Sequence, residues 1–152
     1  MTNNVNIVPW TSTFLEKTVA MYIDVFSAEP WNDLLTEPQI TGYVTALMEM
    51  NTFLGYGLLN KETNELLGYA IGFVKPWYQG TEYVIDTFLI ASDHQSQGLG
   101  SSFIRLIEEE LRQKGIPTIL LDTETAMPAF QFYAKNGFKP LPDNVTLYRS
   151  ID

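Results

Sequence analysis

The chain has 152 residues, of which 45% are hydrophobic and 13% are aromatic, and it contains no cysteine and a single histidine. This length suits one domain with a sizeable core, and the apolar content is far above that of a disordered chain. Without cysteine there is no disulfide framework, thiolate nucleophile or Cys-ligated zinc, and one histidine disfavours a serine triad or a metal cluster. We therefore predict a single globular domain over residues 1–152 with no bound metal.

Charge and hydropathy narrow the set of partners. Nine basic and 18 acidic residues give a formal net charge of −9, which should repel the phosphates of nucleic acids. No apolar run approaches the ~20 residues that a membrane span needs, and the first residues lack the basic and apolar regions of a signal peptide. The sequence thus predicts a cytoplasmic protein that binds neither nucleic acid nor a membrane.

The beginning of the chain predicts a strand followed by a helix. Residues 5–8 alternate in polarity and are stopped by Pro9, as in a short strand. Thr13 and Glu16 then have the spacing of a capping box. The helix after them has an apolar face made of Phe14, Thr18, Val19, Tyr22 and Phe26.

A second helix and a hairpin follow. Thr36 and Gln39 form another capping box with Pro38 in the first turn. The apolar face of this helix consists of Ile40, Tyr43, Val44, Leu47 and Met48. Two apolar segments, 52–59 and 66–74, flank a polar connection and predict an antiparallel hairpin.

The remainder of the chain predicts a strand–helix–strand unit and two shorter elements. Residues 81–91 are typical of a long strand, a helix runs from Leu99 through Leu111 to a stop at Gly115, and residues 117–122 form the next strand. The two strands should be parallel, because a helix connects them. A short helix over 129–135 and a final strand over 145–151 complete a mixed sheet in a three-layer α/β or α+β domain.

The segment Gln95-Ser96-Gln97-Gly98-Leu99-Gly100-Ser101 lies between a predicted strand and a predicted helix. Glycine lets a ligand approach the backbone closely, and the first N–H groups of a helix have no intrahelical partner. The segment is either a phosphate site or an ordinary glycine turn. It is not a Walker P-loop, because no Lys-Ser or Lys-Thr follows Gly100, and its glycines do not have the Rossmann spacing.

Two motifs resemble those of the GNAT N-acetyltransferase superfamily, in the same order along the chain. Gln95, Gly98 and Gly100 fill the family's Gln/Arg-x-x-Gly-x-Gly/Ala signature, and residues 129–138 are similar to its Ala-x-x-Phe-Tyr-x-Lys-x-Gly-Phe motif. The resemblance is specific from residue 81 to residue 138. It implies the acyl-CoA N-acyltransferase fold, in which a mixed, mostly antiparallel sheet contains a splayed parallel pair, and acetyl-CoA as the cosubstrate.

The resemblance also implies how acetyl-CoA is held. Its pyrophosphate would be bound by backbone groups of Gln95, Ser96, Gln97, Gly98, Leu99, Gly100 and Ser101. The family's central strand carries a bulge near its end, where unpaired amides become available. Backbone groups of Phe88, Leu89 and Ile90 would therefore bond the pantetheine arm, while the side chains of Phe88 and Ile90 are expected in the core.

Two residues are candidates for proton transfer. Tyr133 matches the family tyrosine that protonates the departing thiolate, although it could instead pack on the sheet. Asp86 shares a strand face with Glu82 and is the preferred base or ammonium anchor for an amine, although a strand-end carboxylate could simply be solvated. His94 is expected to be exposed or to cap the loop.

An acceptor site is expected where aromatic faces and carboxylates combine, because such surfaces suit cations. The candidate residues are Glu29, Trp31, Asp33, Trp77, Tyr78 and Glu82. They predict a small amine acceptor that attacks the acetyl group directly in a ternary complex, although the tryptophans could serve only in loop packing. Two alternatives stay open: a non-catalytic acyl-CoA sensor or scaffold, and transfer of another acyl group. An apolar C-terminal strand edge would also allow a homodimer.

Overall fold

The computed structural model describes residues 4–152, which divide into two compact parts that meet in sequence between Asp122 and Thr123. The elements of the first part are β1 (Val5–Pro9), α1 (Leu15–Phe26), α2 (Glu37–Met48), β2 (Phe53–Asn60), β3 (Leu66–Lys75), β4 (Glu82–Ile90), α3 (Leu99–Lys114) and β5 (Thr118–Leu121). The second part contains α4 (Pro128–Lys135). That residues 1–152 form one domain stays a prediction.

The five strands form one sheet in chain order. Strands β1 to β4 pair antiparallel, and β4 pairs with β5 in parallel, as a strand–helix–strand unit requires. The mixed, mostly antiparallel sheet with one parallel pair is therefore confirmed.

Across residues 4–152, every helix is too short or too polar to traverse a lipid bilayer.

Two apolar clusters cover the two faces of the sheet. On one face, Val19 of α1 and Val44 of α2 pack with Tyr69, Ile71 and Leu89 of the strands. On the other face, α3 packs against strand residues through its buried side chains Leu99, Phe103, Ile107 and Leu111. Burial of these helix faces stabilises the fold, because apolar side chains leave water. The first part of the chain thus has the three layers that the sequence predicts.

The sequence correctly predicts the amino end of α2 and the carboxyl end of α3, but not the amino end of α1. The capping box of α2 is formed, because Thr36 N donates to Gln39 Oε1 at 2.9 Å and Gln39 N donates to Thr36 Oγ1 at 3.3 Å. Helix α3 stops at Gly115, which has a φ of 72°. The capping box predicted at Thr13 is wrong: Thr13 lies within a 3-10 turn, so it lacks the extended backbone that an N-cap needs.

A β-bulge interrupts the pairing of β3 and β4. Ile71 lies opposite Thr87 and Gly72 lies opposite Ile85, so that Asp86 is the extra residue. The insertion reverses which side chains face α3. Before it these are Tyr83 and Ile85, whereas after it they are Phe88 and Ile90.

The same position marks the end of the parallel pairing. The last residues of the β4–β5 ladder are Ile85 and Leu121, and β4 continues for five more residues. Asp86 is therefore the first residue of β4 beyond its partner β5. This is the splayed arrangement that the family resemblance implies, with its bulge at Asp86.

The predicted final strand over 145–151 is wrong. These residues have no strand structure, and their apolar side chains are exposed, with Leu147 at 86% and Tyr148 at 92% of full exposure. Alternating polarity predicts a strand only where a neighbouring strand supplies hydrogen bonds and a core covers the apolar face. The expectation of a homodimer relied on this strand and so has no strand edge to support it.

Substituting Gly72 should disrupt the bulge. A Cβ at this position would lie 1.9 Å from the carbonyl oxygen of Val84, a backbone atom that cannot move aside. We expect Gly72→Ala to lower the free energy of unfolding by about 2–3 kcal/mol, measured by urea denaturation. Gly42→Ala is the matched control, because nothing lies within 4 Å of its Cβ in α2, and it should raise stability by about 0.5–1 kcal/mol. Equal effects of the two variants would contradict this account of the bulge.

Candidate functional site

Asp86 is held by two hydroxyl groups on the same carboxylate oxygen. Tyr43 of α2 donates a hydrogen bond to its Oδ2, and Thr87 Oγ1 donates to the same atom at 2.8 Å. Within residues 4–152, no group donates to the other oxygen, Oδ1, and the side chain is exposed. The carboxylate is thus oriented by its neighbours while one oxygen can receive a proton or bind an ammonium group.

The negative charge of this carboxylate acts on three tyrosines from different elements. They are Tyr22 of α1, Tyr43 of α2 and Tyr69 of β3, and the rings of the first two meet edge to face at 5.9 Å. Burial raises the pKa of all three, and the negative charge of Asp86 raises each pKa further. All three hydroxyls are therefore neutral hydrogen-bond donors at physiological pH.

The Tyr69 hydroxyl differs from the other two. Its side chain is 0% exposed, and the hydroxyl has no hydrogen-bond partner among the residues described. A buried hydroxyl that stays unpaired costs about 1–3 kcal/mol, so such a group is typical of a place that takes up a water molecule or a polar ligand atom.

The loop between β4 and α3 has the geometry of an anion site. Ser96 and Gly98 have positive φ values of 65° and 77°, and α3 begins directly afterwards at Leu99. No side chain caps this end of α3, and its first turn contains no acidic residue. The first backbone N–H groups of α3, together with the helix dipole, can therefore face an anionic group.

The predicted pantetheine-binding strand end is fixed by side-chain contacts. Phe88 stacks on Phe103 of α3 with ring centroids 5.3 Å apart, and Ile90 is buried in the same cluster, so both side chains belong to the core as expected. The carbonyl of Ile90 accepts a hydrogen bond of 2.9 Å from the Gln95 side chain. This bond ties the loop to the end of the strand.

Tyr133 lies in the second part of the chain, on α4. Its ring meets those of Phe132 and Phe138 edge to face, each at 5.3 Å. Burial raises the pKa of Tyr133 to about 12. The phenol is therefore neutral at physiological pH and carries a proton that it can donate.

Two of the predicted acceptor residues lie near the tyrosines around Asp86. Trp31 contacts Phe26 with ring centroids 5.1 Å apart, and Phe26 contacts Tyr22 at 4.6 Å. The backbone N–H of Asp33 donates to the Phe26 carbonyl at 2.9 Å, which holds Asp33 at the end of α1. Glu29 is exposed in the same loop.

The other predicted acceptor residues lie at the β3–β4 connection. The rings of Trp77 and Tyr78 are 4.8 Å apart, and Lys75 Nζ lies 5.8 Å from the Trp77 ring centroid. Lys75 also pairs with Glu82 at 4.0 Å. The structure thus divides the predicted acceptor residues into two groups. In the second group, Lys75 already contacts both the Trp77 ring and the Glu82 carboxylate.

His94 and the acidic residues form no metal centre in the part of the chain that is described. His94 Nε2 lies 3.4 Å from Glu65, and its side chain is 28% exposed, so it is half-buried and not exposed as expected. Among residues 4–152, no three histidine or carboxylate side chains are placed to hold a metal ion.

Sequence patterns alone did not identify the tyrosines around Asp86. Periodicity assigned Tyr22 and Tyr43 to the apolar faces of their helices, and Tyr69 lies within an apolar strand. The available signal was the hydroxyl group, because a tyrosine on a buried face needs a hydrogen-bond partner. Its partner, Asp86, is more than 40 residues away from Tyr43 in sequence.

Comparisons with known proteins agree with this fold. The model of the acetyltransferase (GNAT) family matches residues 10–138. No curated protein sequence matches the chain.

Similar solved structures share the fold over nearly the whole chain. An aminoglycoside acetyltransferase from an uncultured soil metagenomic sample, in complex with sisomicin, has 17% identity and a TM-score of 0.73, with 99% of this chain and 98% of that one covered. A protein from Clostridium difficile 630 described as a possible acetyltransferase has 14% identity and a TM-score of 0.81, with 97% and 99% covered. A transcriptional regulator from Bacillus halodurans C-125 has 21% identity and a TM-score of 0.74, with 95% and 99% covered.

The raised pKa of Tyr69 predicts a loss of stability at alkaline pH. An unfolded tyrosine releases its proton near pH 10.0, whereas folded Tyr69 holds its proton to higher pH. The contribution of Tyr69 to stability is therefore fully present below pH 10.0 and decreases as the pH rises above 10.0. We expect Tyr69→Phe to flatten this fall in the urea midpoint and to raise stability at neutral pH by about 1 kcal/mol, because it removes an unpaired hydroxyl. The exposed Tyr148→Phe is the control. An alkaline decline in Tyr69→Phe as steep as that of the wild type would contradict this prediction.

Proposed function

The chain belongs to the acetyltransferase (GNAT) family, and we propose that it is an N-acetyltransferase that uses acetyl-CoA. The acceptor is the primary amine of a small, cationic molecule, which attacks the acetyl group directly while both substrates are bound. One observation carries the proposal. Asp86 is the bulge residue at the end of the β4–β5 pairing, and its Oδ1 is open while two hydroxyls hold its Oδ2.

Acetyl-CoA supplies an acetyl group activated as a thioester. The backbone N–H groups of residues 95–101 would hold its pyrophosphate at the amino end of α3, where no side chain caps the helix. Backbone groups of Phe88, Leu89 and Ile90 would bind its pantetheine arm beyond the bulge. The positive φ of Gly98 supports this assignment, because it lets successive N–H groups turn toward one anion.

Asp86 would prepare the acceptor. An ammonium group bound at Oδ1 gives up one proton to the carboxylate, directly or through a water molecule, and the neutral amine can then attack. The hydrogen bonds from Tyr43 and Thr87 fix the direction of Oδ1. The neutral amine forms the new C–N bond, the C–S bond breaks, and the nitrogen releases its second proton to solvent, to which Asp86 also returns the proton it accepted.

Tyr133 would protonate the leaving group. Its phenol carries a proton at physiological pH, since an ordinary tyrosine ionises only near pH 10.0 and burial raises the pKa of Tyr133 to about 12. This proton passes to the sulfur of the departing thiolate. Since the phenol regains a proton from solvent, Tyr133 acts as a general acid in each turnover.

The nature of the acceptor is supported by charge and by one structural neighbour. Aromatic rings and the carboxylates Asp33 and Asp86 lie together on the α1–α2 side of the sheet, a combination that suits cations. The aminoglycoside acetyltransferase that shares this fold was solved with sisomicin. We propose a cytoplasmic enzyme whose partner is a small molecule. A homodimer stays a prediction without structural support.

The proposal is tested by measuring thiol release from acetyl-CoA with a panel of primary amines. Release that depends on an amine, with the acetylated amine identified by mass spectrometry, supports N-acetyl transfer. Binding of acetyl-CoA without any turnover would instead indicate a sensor or scaffold domain. Turnover with a longer acyl-CoA but not with acetyl-CoA would indicate transfer of another acyl group.

Asp86→Asn should lower kcat by about 100-fold at neutral pH, because the amide cannot accept the proton of the amine. The rate should recover as pH rises, since an amine that loses its proton to water needs no carboxylate. Steady-state kinetics over a pH series measure both effects. The exposed Asp24 of α1 provides the control variant Asp24→Asn, which removes the same charge. A normal rate and pH profile for Asp86→Asn would remove this residue from the mechanism.

Tyr133→Phe should keep the affinity for acetyl-CoA and lower kcat by about 100-fold, because the ring remains while the acidic proton is lost. Calorimetric titration with acetyl-CoA measures the affinity, and thiol release measures the turnover. Phe132→Leu is the comparison for a packing effect, since it alters a ring that contacts Tyr133 without removing an acid. An unchanged rate of acetyl transfer in Tyr133→Phe would show that the tyrosine serves only in packing.

A further inference from the structure

A row of aromatic rings leads from Asp86 to the end of α1. The hydroxyl of Tyr43 donates to Asp86, and the Tyr43 ring meets that of Tyr22 at 5.9 Å. The Tyr22 ring contacts Phe26 at 4.6 Å, and Phe26 contacts Trp31 at 5.1 Å. Each ring therefore touches the next, and the row joins the base of the proposed reaction to the loop that follows α1.

A second carboxylate lies at the far end of this row. Asp33 is exposed, and its backbone N–H is bonded to the carbonyl of Phe26 at 2.9 Å. The charges of both Asp86 and Asp33 reach the hydroxyl of Tyr22, where they add to burial in raising the pKa of that tyrosine. The aromatic row thus has a negative charge near each of its ends, with Tyr22 between them.

The chain supplies no cation to either carboxylate within residues 4–152. The ion pairs formed there are Lys75–Glu82, His94–Glu65 and Arg112–Glu109. Basic residues are also rare in this part of the chain, because only three of the nine lysines and arginines precede residue 100. Asp86 and Asp33 both act on Tyr22, and neither carboxylate has a cationic partner from the protein. Their combined negative potential favours a cationic ligand.

A buried polar atom at the same place also indicates a ligand. The Tyr69 hydroxyl is fully buried without a hydrogen-bond partner among the described residues, and the negative charge of Asp86 acts on it. This hydroxyl belongs to β3, whereas Asp86 belongs to β4 and Asp33 follows α1. An amine or a water bound at Asp86 would give this hydroxyl the partner that the protein does not provide.

We propose that the acceptor carries two ammonium groups separated by an apolar chain, with one bound at Asp86 and the other at Asp33. The first is acetylated, and the second determines specificity. The connecting chain lies along the aromatic row, whose faces attract both cations and methylene groups. This inference rests on the proposed function, and it names diamines as the substrate class.

The test compares matched acceptors in the wild-type enzyme and in Asp33→Asn. Diaminobutane is compared with butylamine, and diaminohexane with hexylamine, by kcat/KM for acetyl-CoA-dependent thiol release. We expect the wild type to prefer a diamine by about fivefold or more, the effect of one partly exposed ion pair. In Asp33→Asn this preference should disappear through a higher KM for the diamine. Asp24→Asn, which removes an exposed charge from α1, should retain the preference.

Each outcome has a distinct meaning. An enzyme that acetylates monoamines and diamines equally well, or an Asp33→Asn variant that retains the preference, would overturn the inference and leave the proposed function intact. If no amine is acetylated, the proposed function fails, and calorimetric titration with diaminohexane then decides the inference. Binding to the wild type that weakens about fivefold in Asp33→Asn would support a diamine site, whereas no binding would exclude it.

Discussion

The β-bulge at Asp86 is the constraint on which the rest of the structure depends. One extra residue in β4 reverses which side chains face α3, so that the strand continues to bury apolar residues on both sides of the insertion. It coincides with the end of the β4–β5 pairing and leaves a carboxylate at that point. The bulge requires Gly72 on the neighbouring strand, because any side chain there would collide with the Val84 carbonyl. Geometry that serves folding therefore also places the candidate base.

Electrostatics divides the first part of the chain into two regions of different character. Around Asp86, three tyrosines have raised pKa values and stay neutral, and the carboxylate, which accepts from Tyr43, has no cationic partner among the described residues. At the amino end of α3, an uncapped helix with no acid in its first turn presents backbone N–H groups. The first region suits a cationic amine and the second suits an anionic phosphate. Strand β4 connects the two regions, because it contains Asp86 and leads into the loop before α3.

Much of the fold and part of the site could be predicted from the sequence. The capping box at Thr36, the stop at Gly115 and the strand before the glycine loop are local signals, and the structure contains all three. The final strand could not be predicted from residues 145–151 alone, because a strand depends on a partner that those residues do not specify. The same limit applies to the bulge and to Tyr22, Tyr43 and Tyr69. Periodicity identifies a buried face, but the partner of each hydroxyl comes from tertiary packing.

The central claim is that this chain holds acetyl-CoA between the end of β4 and the amino end of α3. Isothermal titration calorimetry with acetyl-CoA, CoA and ATP tests it most directly, because it requires no knowledge of the acceptor. The account predicts that acetyl-CoA and CoA bind and that ATP does not, since the loop lacks the lysine of a nucleotide-binding P-loop. Absence of binding by both CoA species would contradict the account and leave only the shared fold.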